Sequence, residues 1–172
     1  MTTPTAPPDT RREPPETGDE RAMLEGFLDF HRETLRWKCA ALTDEQLRTY
    51  SVGSSRLTLL GLVRHITEVE RWWFLPFVGE EDPDPVYFTE QKPNDDFDAL
   101  ASAAPVDVLA RWDAEVGRIR QVVAPLDLDT EFTRRGKAFS LRWVYLHMIE
   151  EYARHNGHAD LVREAIDGVT GE

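Results

Sequence analysis

Near the end of the chain, Glu151 and His155 stand four residues apart inside an apolar stripe. A helix turns about 100° per residue, so positions four apart stack on one face. Over Leu141–Ile166 the face that carries Val144, Met148 and Val162 also carries His147, Glu151, His155 and His158. Glu150, Arg142 and Arg154 fall off the centre of that face. A carboxylate and imidazoles aimed at a core are costly unless something partners them. A divalent cation would do so, and His65, within Leu62-Val63-Arg64-His65-Ile66, offers a third donor from another helix. Two imidazoles and one carboxylate suit zinc, with nickel and manganese as further candidates. Three protein ligands leave a coordination position open, as catalytic sites do and structural ones do not.

Spacing alone leaves other readings open. Glu151 and His155 also have the spacing of an intrahelical pair, although one facing the core gains little from it. His65 at a helix edge reads equally as a packed histidine. His147 and His158 share the face and are candidates for extra ligands, acid/base groups, partners that orient a ligand, or simple filling. No residue is assigned a catalytic role beyond that. The chain lacks HExxH, and one ExxxH is not the paired ExxH of di-iron carboxylate bundles. His31 reads as surface or packing, Arg71 and Arg154 as solvated, and Trp72, Trp73, Trp143, Tyr145 and Tyr152 as packing with one or two walling a pocket. The acidic run Asn94-Asp95-Asp96-Phe97-Asp98 reads as a solvated loop without the alternation of a calcium site.

Four helical segments must position these groups. The first spans Arg21–Leu42, with Met23, Phe27, Phe30, Leu35 and Trp37 among its apolar positions. Thr43 followed three residues later by Gln46 resembles a capping box for a short following turn. The second covers Leu57–Phe77 and ends at Pro76 and Gly79. Prolines interrupt the stretch Glu80–Ala104, a length typical of a functional lid. The third starts at Pro105, suited to a first turn, and runs to Ala124. A second loop, Pro125–Phe139, leads to Ser140 as N-cap of the fourth, and Gly168 suits its end. No strand alternation is evident. The expected fold is all-α: a four-helix bundle, up-down-down-up, with long connecting loops, whose facing helices can build a metal site.

Composition narrows the function. The chain of 172 residues is long enough for one cored domain, expected over residues 21–170, behind a proline-rich, disordered tail at Met1–Glu20. That tail lacks the apolar centre of a signal peptide and the character of a transit peptide, and no stretch approaches the ~20 apolar residues of a membrane span. A net charge of −12 argues against nucleic acid as partner. Cys39 is the single cysteine, which fits a reducing cytoplasm and reads as a small buried residue. Thiol chemistry must therefore bring its thiol from a small molecule or use Cys39 itself.

The segments Leu59–Trp73 and Leu146–Leu161 resemble the first and last metal-ligand helices of the DinB/YfiT-like superfamily, and in particular an actinobacterial branch sometimes labelled mini-circle proteins. The resemblance extends over about Arg21–Gly168. It implies a four-helix bundle with a divalent metal held by one residue of the second helix and two of the last, here His65, Glu151 and His155. Most members use three histidines. The His-Glu-His set is similar to the mycothiol-dependent maleylpyruvate isomerase branch, which carries a further C-terminal domain, so its reaction does not carry over. The activity implied is transfer of a low-molecular-weight thiol such as mycothiol to a small electrophile, or isomerisation of one. A metal-dependent hydrolase and a non-enzymatic, metal-stabilised binding or stress-response module, dimeric through an exposed helix face, are the rival expectations.

Overall fold

The computed structural model describes residues 6–170. In chain order the elements are α1 (Glu20–Cys39), a short α2 (Asp44–Leu47), α3 (Leu59–Phe74), α4 (Asp95–Asp98), α5 (Pro105–Val123), a hairpin of β1 (Glu131–Arg134) and β2 (Lys137–Ser140), and α6 (Leu141–Asp167). A 3-10 turn, Leu75–Val78, continues α3. The four long helices form the all-α bundle expected from the sequence. Helix α1 packs on α6, α3 on α5, and α3 on α6.

Local chemistry sets the helix ends. The side chains of Asp19, Thr58 and Ser140 accept hydrogen bonds from Ala22, Gly61 and Trp143 amides at the starts of α1, α3 and α6. Each such cap satisfies a donor the helix cannot, worth about 1 kcal/mol. Thr43 and Gln46 form the reciprocal capping box of α2. Gly79 (φ 84°) and Gly168 (φ 76°) end the 3-10 turn and α6 in the left-handed conformation that glycine adopts without penalty. Between the helices lie fully buried Leu28, Leu35, Leu62, Ile66, Phe74, Val144 and Met148. Burying each such side chain contributes about 1.5–3 kcal/mol.

Among the described residues, 6–19 hold no helix or strand and lie along α1. Trp37 Nε1 donates to the Pro7 carbonyl at 3.0 Å, and Arg11 sits over the Trp37 ring at 4.8 Å. The first five residues of the expected tail lie outside the described residues.

A hairpin stands between α5 and α6, where a loop without strands is expected from the sequence. β1 and β2 pair antiparallel, with Phe132 opposite Phe139. Arg135 (φ 50°) and Gly136 (φ 76°) form the two-residue, doubly left-handed turn that matches strand twist. The strands are four residues long, half exposed and with no residue fully buried, so no buried face imposes alternation. Phe132 packs edge-on against Phe77, and Phe139 against Trp73 and Trp143, which fixes the hairpin over the ends of α3 and α6.

Candidate metal centre and the adjoining cleft

Helices α3 and α6 bring His65 and His155 together, with ring centroids 4.8 Å apart. One turn before His155, Glu151 Oε2 lies 3.4 Å from His155 Nε2. The α6 face that carries Glu151 and His155 thus meets α3 at His65. His155 is largely buried, and burial foremost, then the neighbouring His65 and His158, lowers its pKa to about 4. At neutral pH it is an uncharged imidazole, the form that binds a metal.

The flanking histidines extend the cluster. His147 Nε2 is 3.8 Å from Glu151 Oε1, and its ring stacks on Trp143 and meets the edge of Trp73. His158 Nδ1 is 3.5 Å from His155 Nδ1. His147 thus lies beside Glu151, and His158 beside His155.

By type these donors suit a divalent cation: two imidazoles and a carboxylate to offset charge. Among the described residues, however, no three of them stand closed around a point where a cation would sit. Glu151 is turned toward His147 and His155, and His65 Nδ1 is engaged by Asp96 Oδ2 at 2.9 Å.

A cleft of about 590 Å³ opens beside His65. Trp72 and Trp73 of α3, Phe88 and Asp96 of the loop between α3 and α5, and Arg135 of the hairpin also line it, whereas Glu151 and His155 do not. The loop is fastened to α3 from within. Glu68 accepts from the amides of Val86 and Tyr87 at 2.7 and 2.6 Å. Burial raises the Glu68 pKa despite those donors. Arg71 pairs with Glu115 at 2.8 Å and donates to the Asp84 carbonyl at 3.1 Å.

Two sequence readings change. Arg71 is buried in an ion pair, because α5 supplies Glu115 where an isolated helix would face water. Asp96, within the acidic run expected to be solvated, is buried against His65. No local pattern marks either residue, since a partner distant in sequence buries each. Arg154 is exposed and pairs with Glu150, and His31 is half-buried against Phe30 and Asn156, as read.

The pattern of the family described as mycothiol-S-transferase matches residues 23–168, nearly the whole of the bundle. The chain belongs to the mycothiol S-transferase family. That places this family member in the DinB/YfiT-like superfamily, in agreement with the helix motifs around His65 and Glu151. No curated protein and no solved structure matches the chain. Among the described residues, this mycothiol S-transferase family member has no helix long and apolar enough to cross a membrane.

Proposed function

We propose that the chain is a divalent-metal-dependent enzyme that transfers a low-molecular-weight thiol, mycothiol first among them, to a small electrophile. His65, Glu151 and His155 are the ligands in this reading, and zinc is the first metal to test. The observation that carries it is the meeting of His65 with His155 across α3 and α6, with Glu151 one turn away on α6, beside an open cleft and in a member of this family. When bound, a divalent cation supplies stabilisation of the thiol sulfur as its thiolate near neutral pH.

The chain's own groups do the rest. Neutral His155 offers a lone pair, and Glu151 contributes negative charge. Trp72, Trp73 and Phe88 give the cleft apolar walls that hold an electrophile against the sulfur and keep water away. The proton that leaves the thiol goes to a base beside the ligands, and His147 and His158 stand in that position. Cys39 is not the nucleophile. It is buried, and burial pushes its pKa up to about 12.

A site bordering a cleft favours catalysis over a purely structural metal, which is enclosed. The chemistry needs a compartment where free thiols persist, so a reducing cytoplasm suits it. The test is consumption of mycothiol by a panel of haloalkane, epoxide and quinone electrophiles. Expected is a zinc-dependent rate that falls at least tenfold in Glu151→Gln and His155→Ala. Equal rates in wild type, the variants and chelated protein would overturn the proposal.

A further inference from the structure

The acidic side chain nearest to hand for His65 comes from the loop rather than from the bundle. Asp96 Oδ2 lies 2.9 Å from His65 Nδ1, and Asp96 is only 6% exposed. Its other oxygen accepts from the Phe97 amide at 3.1 Å, which fixes the carboxylate's direction. A carboxylate has acceptors only, so the hydrogen in the contact with His65 belongs to Nδ1. A neutral imidazole with its hydrogen on Nδ1 carries its free lone pair on Nε2.

Three further contacts hold this turn of the loop against α3. The Phe97 ring lies 5.1 Å from that of His65. Gly61 leaves the space Phe97 occupies, since a Cβ there would meet Phe97 Cδ1 at 2.8 Å. Arg64 donates to the Ala99 carbonyl at 2.7 Å. The segment thus docks on α3 over a single helical turn that contains His65.

We propose that Asp96 is a positioning residue: it holds His65 with Nε2 free for a metal, and so ties metal binding to the docking of the loop that walls the cleft. This rests on the reading of His65 as a ligand. Carboxylates that hold the second nitrogen of a metal-binding histidine commonly change affinity about 10–100-fold when removed. Here that partner sits on the single-turn helix α4, within the connection between α3 and α5, so the coupling runs both ways. A cation on His65 favours the docked loop, and an undocked loop weakens the cation.

The experiment uses the full chain as wild type, Asp96→Ala and Asp96→Asn, with three readouts. Nitrogen-15 histidine spectra of metal-free protein are expected to report His65 as the Nδ1–H tautomer in wild type and as a mixture in Asp96→Ala. Zinc titration is expected to weaken about 10–100-fold in Asp96→Ala, with partial recovery in Asp96→Asn, whose amide oxygen can still accept. Hydrogen exchange of amides 95–99 is expected to slow when zinc is added to wild type and to be insensitive to zinc in Asp96→Ala. Unchanged tautomer and zinc affinity in Asp96→Ala would overturn this proposal while leaving the metal reading intact. Failure of the wild type to bind zinc, nickel or manganese would overturn the metal reading and this proposal with it.

Discussion

Two groups of polar side chains bridge α3 and α6, and they differ in how completely they satisfy one another. In the first, fully buried Glu70 takes both ends of Arg32 at 2.7 Å and the Tyr152 hydroxyl at 2.8 Å. The Trp112 indole in turn donates to Tyr152 at 3.1 Å. Burial and the Glu70 carboxylate push Tyr152 well above the usual tyrosine range, so it stays a donor. In the second, the contacts of Glu151 with His155 and His147 are 3.4 and 3.8 Å, and His155 faces two other histidines. Tyr152 and Glu151 are neighbours in sequence, yet one completes a network and the other borders an incomplete one. A buried network with every group paired holds a fold together, whereas loosely paired donors beside a cleft leave capacity for a ligand.

The largest effect should come from breaking the complete network. Glu70→Ala leaves Arg32 buried and uncompensated, and should cost about 3–5 kcal/mol of stability in urea unfolding. Replacing Arg32 and Glu70 together with Met and Leu should cost far less, since no charge is stranded. Tyr152→Phe removes one donor and one acceptor, and should cost about 1–3 kcal/mol by the same measurement. Neither change should abolish zinc binding, because neither residue is a proposed ligand.

The reverse pattern is expected in the second group. Glu151→Gln should change the stability of metal-free protein by less than about 1 kcal/mol, and His155→Ala by somewhat more, since it empties a largely buried position. Added zinc should raise the melting temperature of wild type and not that of either variant, as a calorimetric scan would report. The smallest effect is a control on the nucleophile. With its pKa near 12, Cys39 should ignore a thiol reagent at pH 8 in native protein and react only on unfolding. Fast native labelling would return the protein's own thiol to consideration.

The contrast also explains what was legible in the sequence. The helices were, because the Thr43–Gln46 capping box, Ser140, Gly168 and the apolar periodicity are local. The histidine–glutamate face of α6 was legible for the same reason, since two residues four apart on one helix need no tertiary information. His65 was legible only as a candidate third donor on another helix, and the resemblance between helices pointed to the same residue. Glu70 and Tyr152 looked like ordinary helix residues, because their partners Arg32 and Trp112 lie on other helices. Asp96 was hidden likewise: an acidic run reads as solvated until Gly61 and Arg64 draw the loop onto α3. The hairpin escaped because an Arg-Gly turn between exposed four-residue strands carries little of the usual strand signature.

The central claim is tested most directly by zinc stoichiometry in protein purified without an affinity tag. Elemental analysis should be run on wild type and on His65→Ala, Glu151→Ala and His155→Ala after dialysis against limiting zinc. About one equivalent is expected in wild type, as a single three-ligand site requires, and loss in each variant with helical content unchanged. Zinc-free wild type, or occupancy indifferent to all three substitutions, would contradict it.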